Sequence, residues 1–471
     1  MITRNASLSA RITVVFVILF STFGCKKFVQ IPASPSTLTS AQIFADSADA
    51  TAALTGVYSS FNVGSPNFSI GNGAITLYTG LSGDELQPIG GAATLTQFYN
   101  NNVSATTNGV IGSTFWAVVY NFIYQLNACI EGASGSSGLD LVLRNQLVGE
   151  AKFMRAFMYF NLVNLYGAVP LVVSTNYTVN ASLGRTSVDS IYNQIKSDLL
   201  DAQNRLTPAY VTGGKVRPNL YTATALLAKV YLYNQKWDSA IFESTKVISS
   251  GLYFLEPDLN NVFLANSNEA IFQILPVVAE YETTEGLEFV PSKSTLVPKY
   301  VIGQYLLSAF EGGDQRRYSW IDSNIVAQKN YYYPYKYKFG FDGLSTPVEN
   351  YMICRLGEQY LIRAEAEANS SGDLDTAIGD LNVIRGRAGL GAYAGSADQA
   401  SVLNAIYHER QVELFCEWGN RWYDLKRWGI INNVLGVEKA SSWPSDGHAA
   451  LYPISYNQIE ANPFLVQNPG Y

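Results

Sequence analysis

The sequence predicts a mainly α-helical protein: a scaffold of about four tetratricopeptide-like helix pairs carrying an irregular, loop-rich α/β ligand-binding face. Three observations predict it. Apolar residues recur at a 3–4 spacing, as in Trp116, Val119, Tyr120, Ile123 and Leu126. Two stretches, Tyr221–Ser250 and Leu356–Ala388, each set small alanines on one helix, then a short turn, then a second helix. That layout, over roughly 34 residues, is the tetratricopeptide-type repeat, which must stack to bury its faces. Two further stretches, about 62–114 and 251–350, interrupt the rhythm with Gly and Asn or with Pro and aromatic residues.

Taken in order, residues 1–24 read as a signal peptide. Arg4 and Arg11 precede an apolar run from Val14 to Phe20. Such a run is short of the ~20 apolar residues that cross a bilayer, and it suits the core of a secretory signal. Gly24–Cys25 looks like a lipobox, so Cys25 is the expected lipidated first residue of the mature chain; an ordinary signal with a stray cysteine is the alternative. Residues 25–40, rich in Pro, Ser and Thr, read as a tether, and 41–471 as one composite domain. Helices are expected over about 41–61, from Phe115, over Asn145–Tyr166 (stopped by Gly167 and Pro170) and over Ser187–Leu206 with Ser187 as cap. The repeat-like pairs follow. Residues 62–114 read as loop or short strand, too polar for the core, and 251–350 as an α/β insertion.

Composition excludes several functions. The formal net charge of −7 argues against a nucleic-acid partner. With only His408 and His448, a histidine triad or metal cluster is hard to assemble, and no P-loop, G-x-S-x-G or H-E-x-x-H motif is present. No catalytic residue, metal ligand or cofactor is therefore assigned. Asp373-Leu374-Asp375 fits a helix-pair turn better than a calcium loop. Cys129, Cys354 and Cys416 could form at most one disulfide, with no pair favoured. Glu409, Glu413 and Glu417 recur every four residues, which on one helix stacks three carboxylates on one face. Arg410, Arg421, Lys426 and Arg427 lie nearby as partners, so an ion-pair lattice is expected; a glycosidase pair is the competing reading.

Glu417-Trp418-Gly419-Asn420-Arg421-Trp422-Tyr423-Asp424-Leu425-Lys426-Arg427-Trp428 resembles the C-terminal signature of the SusD/RagB family, E-x-x-R-W-x-D-L-x-R-W. Other blocks resemble the same family in order. They are Cys25-Lys26-Lys27-Phe28 with Pro32, Met154–Phe160 through Tyr166–Leu171, Ala225–Leu232, and Leu451–Ile454 through Asn462-Pro463 to Gln467–Tyr471. The resemblance spans essentially the mature chain. It implies a helical lipoprotein of the outer membrane, facing the cell surface, that captures oligo- or polysaccharide and passes it to a SusC-like TonB-dependent transporter. It implies binding, not catalysis. A helical-repeat assembly protein that binds a partner protein without glycan is the alternative.

The ligand is expected on the two irregular stretches, because loops on a rigid support carry function. Sugar rings offer apolar C–H faces and a hydroxyl rim, so a site needs aromatic plates beside polar groups. The first stretch supplies Tyr78, Asp84, Phe98, Tyr99 and Asn101. The second, Tyr281–Tyr337, holds twelve aromatics in 57 residues and supplies Tyr281, Arg317, Trp320, Tyr331 and Tyr333. If Tyr331–Tyr333 is extended, alternate rings face opposite sides, and at least one is core.

Overall fold

Asp46 accepts the backbone N–H groups of Ala48 and Asp49 at 2.8 and 3.0 Å, satisfying amides that have no partner inside a helix. It opens α1 (Ser47–Phe61). The single helix expected over 41–61 is thus divided, with a separate turn, Ser40–Ile43, before it. The computed structural model describes residues 39–62, 68–278, 280–341, 343, 346–370 and 373–471. The expected signal, Cys25 and most of the tether lie outside them. Residues 44–471 make one compact unit.

The stretch expected to be polar loop folds as α2 (Ala74–Ser82), β1 (Leu86–Pro88) and α3 (Ala93–Tyr99). Against expectation α2 is core: all of it except half-buried Tyr78 is shielded from solvent. Its polar residues are satisfied inside the protein, Thr79 Oγ1 donating to the Ile75 carbonyl at 2.7 Å and the Ser82 hydroxyl bonding the Tyr452 hydroxyl at 2.8 Å. Small residues permit the close packing: a Cβ on Gly80 would stand 3.0 Å from Leu86.

The scaffold continues with α4 (Val118–Gly135), α5 (Leu141–Tyr166), α6 (Val188–Arg205), α7 (Leu220–Tyr233) and α8 (Trp237–Ile248). Ser187 caps α6, and Asn219 with Thr222 forms a reciprocal cap on α7. Gly167, at φ 73°, ends α5 where other residues would be strained. Then come β2 (Ala270–Ile274), β3 (Tyr300–Ile302), β4 (Ile321–Val326), β5 (Lys329–Pro334) and β6 (Tyr351–Arg355). The chain closes through α9 (Leu356–Asn369), α10 (Leu374–Arg387), α11 (Gln399–Leu414), α12 (Asn420–Arg427) and α13 (Ile431–Glu438). Asp373 accepts the Thr376 N–H at 3.1 Å, so the Asp-Leu-Asp run is a helix cap.

Four pairs stack in order, α1/α4, α5/α6, α7/α8 and α9/α10, and α11 packs on α9 and α10 at the end. Alanines make the close contacts: Ala228, Ala240 and Ala366 with Leu232 and Ile362, then Ala364, Ala368 and Ala377 with Leu381 and Ile406. The insertion builds three two-stranded antiparallel sheets, β1–β3, β2–β6 and β4–β5. β2 and β6 are buried throughout. β4 and β5 form a hairpin closed by Ala327 and Gln328, both at positive φ (49° and 63°), the turn sense that matches strand twist.

A buried ion lattice joins insertion to scaffold. Glu409 and Glu413 lie on α11, but Glu417 lies beyond its end, after the chain turns at Cys416. Their partners come from far along the chain, not from the neighbours expected. Arg316 Nη1 reaches Glu409 at 2.6 Å and Glu413 at 2.9 Å. Arg355 reaches Glu269 at 2.8 Å, Glu413 at 2.6 Å and Glu417 at 2.8 Å. Lys336 Nζ meets Glu417 at 2.5 Å, and Arg387 pairs with Glu269 and Glu413. Arg410, one residue past Glu409, sits roughly 100° round the helix and pairs instead with Asp424. Arg427 takes Glu365 and Asp424, Arg421 takes Asp84, and Lys426 donates to the Asn164 carbonyl.

Replacing Arg355 by Met takes one cation from three buried carboxylates at once, leaving Glu269 with Arg387, Glu413 with Arg316 and Arg387, and Glu417 with Lys336, and the buried charge out of balance. We expect a loss of about 3–5 kcal/mol in urea unfolding, against less than about 1 kcal/mol for Lys299→Met, which breaks the exposed pair with Glu288. Equal losses from the two changes would refute the lattice as a constraint.

Candidate functional site

The two stretches expected to carry the ligand are joined by main-chain pairing. β1 from the first lies antiparallel to β3 from the second, with Gln87 opposite Val301. Ile89 N–H to the Lys299 carbonyl and Gly303 N–H to the Glu85 carbonyl, both 2.8 Å, extend the pairing beyond the strands. Glycine is required at 303, where a Cβ would stand 2.6 Å from the Asp84 carbonyl oxygen. Between this junction and the end of α13 lies an open cleft of about 160 Å³. Tyr99 and Tyr305 supply its rings, Gln87 and Gln304 its amides, and Asp84, Glu438 and Lys439 its charged groups. Tyr305 is 47% exposed, and both glutamines are open to solvent.

The charged groups are fixed from behind. Asp84 lies flat against Arg421, its oxygens 2.5–3.0 Å from the guanidinium. Burial alone would raise the Asp84 carboxyl, but Arg421 holds it below the ordinary value. Glu438 shares a hydrogen bond with Asp84, and burial, then the Asp84 charge, pushes it up to about 8. Two carboxyls this close cannot both ionise cheaply, so Glu438 carries the proton. Lys439 Nζ donates to the carbonyls of Ser82 (3.2 Å) at the end of α2 and Tyr99 (2.9 Å) at the end of α3, and its aliphatic stem brings the ammonium 4.7 Å from the Tyr99 ring. Burial lowers it to about 7. The cleft therefore offers two rings, two solvent-facing amides (Gln304 Nε2 also donating to Ser308 Oγ at 2.9 Å) and a protonated acid. Among the described residues no cluster of potential metal ligands is present.

Residues 309–471 match the family model described as the SusD family, and residues 84–232 match one described as "Starch-binding associating with outer membrane". SusD-like protein P2 of Formosa agariphila is 29% identical over 97% of this chain and 98% of its own length. A SusD superfamily protein from Bacteroides vulgatus superposes with a TM-score of 0.79 at 22% identity, covering 90% of this chain and 99% of the other. A laminarin binding SusD-like protein superposes at 0.75 with 23% identity, covering 90% and 99%. Over both matched segments the chain is similar to the SusD family.

In this SusD-like chain the expected site residues divide. Asp84 and Tyr99 enter the cleft. Tyr78 stands behind it in the core, its ring 4.6 Å from Phe98, and burial lifts its hydroxyl to about 12. Phe98 is wholly enclosed, and Asn101 is buried with its amide on the Ser82 carbonyl at 2.8 Å, so both support the cleft without facing it. Trp320 is 0% exposed; its indole N–H donates to the Leu259 carbonyl at 2.9 Å and its face lies 4.6 Å from Lys336 Nζ. It is a plate of the ion lattice and cannot be one for a ligand. Tyr333 is likewise buried, its hydroxyl on Asp322 at 3.0 Å. Tyr281 pairs with Phe341 away from the cleft residues, Tyr331 is half-buried on the hairpin, and Arg317 is half-buried on the short helix Arg316–Ser319 that leads into it.

Sequence reasoning missed Gln304, Tyr305, Glu438 and Lys439. The first two lie inside the aromatic-rich stretch but outside its densest part, and the last two end a helix with no motif of its own. Glu409, Glu413 and Glu417 are all turned inward onto cations, so no open carboxylate pair of the glycosidase kind is found there. Cys129, Cys354 and Cys416 are free and buried.

Glu438 makes stability depend on pH. Its folded value lies above the ordinary 4.5, so the folded chain holds a proton that the unfolded chain has lost, and stability falls as pH rises toward 8. Glu85, raised to about 8 by burial and then by Asp84, adds to this slope. Between pH 5 and 7 Lys439, lowered to about 7 by burial, opposes this slope only toward the upper end, where the folded lysine starts to lose a proton that the unfolded one keeps. Urea midpoints across that window should decline less steeply for Glu438→Gln than for the native chain; identical profiles would show that Glu438 is not held protonated.

Proposed function

We propose that this protein is a cell-surface lipoprotein that captures oligo- or polysaccharide and delivers it to a TonB-dependent outer-membrane transporter. The observation that carries the reading is the cleft at the β1–β3 junction, where Tyr99 and Tyr305 stand beside Gln87 and Gln304 with a protonated acid behind them. Rings take the apolar face of a sugar, and the amides and acid take its hydroxyls. At about 160 Å³ the cleft is smaller than the ~300 Å³ of common small-molecule pockets, so it suits one sugar ring with the rest of the chain running out over the loops. The family description naming starch and the laminarin-binding structural neighbour support a glycan as the ligand class. The lipobox-like Gly24–Cys25 supports attachment by lipid, and two or more chains at about 0.8 kcal/mol per methylene hold stably. Among the described residues no helix is long and apolar enough to cross a membrane. Binding without hydrolysis is supported by the enclosure of Glu409, Glu413 and Glu417.

Affinity electrophoresis against a panel of α- and β-glucans, laminarin included, tests the reading. At least one glucan should retard the protein, and Tyr305→Ala should weaken that retention about tenfold or more, as loss of a central aromatic contact does. Trp320→Ala should instead unfold the chain. Absence of any retention would favour the assembly-protein alternative, and retention indifferent to Tyr305 would move the site. Co-isolation of a transporter barrel with the chain from outer membranes tests delivery separately.

A further inference from the structure

Thirteen of the fourteen described arginines donate a side-chain hydrogen bond, whether to a carboxylate, an amide or a backbone carbonyl. Arg317 is the exception among the described residues. It follows Arg316, which is wholly buried and bound to Asp314, Glu409 and Glu413. Arg317 itself turns outward and lays its guanidinium over the ring of Tyr332, with Cζ 4.5 Å from the centroid. Stacking uses the face of the guanidinium and leaves the N–H groups on its edge free for a planar acceptor.

The surroundings of Arg317 suit a sugar bearing such an acceptor. In the hairpin register Tyr332 lies opposite Ser323, and Asn330 opposite Ile325, so these four residues share one face. Ile325 is 68% exposed and Asn330 is open to solvent. Apolar, hydroxyl and amide groups of the kind a sugar needs therefore share the hairpin face of the ring that the guanidinium covers. On the other face Lys329 Nζ lies 4.9 Å from the Tyr331 ring, and Lys329 too has no ion pair among the described residues. The place also fits: β5 packs against β3, and β3 pairs with β1 at the wall of the cleft. A glycan leaving the cleft across β3 reaches the hairpin.

We propose that the Arg317–Tyr332 face of the hairpin binds an anionic oxygen group, a carboxylate or a sulfate ester, carried by the captured glycan. Arg317 would take the group through its edge N–H pair, as guanidinium forks take planar or tetrahedral oxyanions. Tyr332 and Ile325 would take the apolar face of the same sugar unit. The inference rests on the glycan-binding reading above and narrows it to acidic glycans.

Affinity electrophoresis with three gels tests it: a neutral β-glucan, a polygalacturonate and a sulfated galactan, each at low salt and at 0.3 M NaCl. The native chain should be retarded by at least one acidic gel, and added salt should weaken that retardation. Arg317→Ala should lower acidic retention at least ten times more than neutral retention. Arg317→Lys, which keeps the charge and loses the fork, should recover only part. Which acidic gel responds separates carboxylate from sulfate. Because the Arg317 side chain makes no hydrogen bond among the described residues and only stacks on Tyr332, its loss should move the thermal midpoint little, and this serves as the folding control. Retention by the neutral gel alone, or equal loss on all gels, overturns the acidic inference while leaving glycan capture standing. No retention on any gel overturns both.

Discussion

Arg355 sits at the end of β6 with Glu269, Glu413 and Glu417 around its guanidinium, all shielded from solvent. Taking one ion out of water costs several kcal/mol even after relaxation, and pairing does little more than offset that cost. Five cations (Arg316, Lys336, Arg355, Arg385 and Arg387) and five carboxylates (Glu269, Asp314, Glu409, Glu413 and Glu417) meet here. The lattice is therefore a poor source of net stability and a strong source of specificity, since displacing any member leaves a charge stranded in the interior. Glu413 shows the balance: burial would raise it, yet Arg387, Arg355 and Arg316 hold it well below the ordinary value. The apolar stacking of the helix pairs supplies the driving force, and the lattice decides where the insertion must sit on them.

Its connectivity is long-range by design. Arg316 and Lys336 flank the β4–β5 hairpin and bind carboxylates on or just after α11. Trp320, between them, is clamped among Lys336, Arg355 and Arg387. The base of the hairpin is thereby fixed to the scaffold, while its tip, at Ala327 and Gln328, stays exposed. A rigid base with an open tip lets side chains at the tip vary without disturbing the core, because none of them takes part in the charge balance.

The helical scaffold was legible because period and caps are local. Ser187, Asp373 and Gly167 act within a turn of where they stand, and the alanine pattern of α7–α10 has one reading. The ion lattice was legible as an acidic series on α11 but not in its partners, because Arg316 lies 93 positions from Glu409 and spacing carries no information at that range. Aromatic density located the insertion yet misjudged its rings. Trp320 and Tyr333 have the composition of a ligand plate, but the strand register and the cations behind them turn both inward. Glycine content misled in the opposite sense for α2: Gly73, Gly80 and Gly83 read as loop, whereas small residues are what allow that helix to be enclosed. The cleft was half visible, in Asp84 and Tyr99; its other wall arrives through β1–β3 pairing and the end of α13, neither of which leaves a local mark.

The segment from Cys416 to Arg421 shows how a scaffold motif can shape the candidate cleft from behind. Cys416 and Trp418, at φ 50° and 49°, bend the chain sharply after α11. That bend sends Glu417 one way into the lattice and gives the Cys416 N–H the other way to Glu85 at 2.9 Å. Three residues later Arg421 grips Asp84. Asp84 and Glu85 are the last residues before β1, and the Glu85 carbonyl receives the Gly303 N–H that joins β1 to β3. One short turn thus sets the floor of the cleft, the register of its wall and the anchor of the hairpin together. Residues that hold the floor cannot change without unbalancing buried charge, whereas Gln87, Gln304, Tyr305 and Arg317 face outward with no such constraint. The ligand can therefore differ among proteins of this architecture while the charge pattern beneath it stays the same.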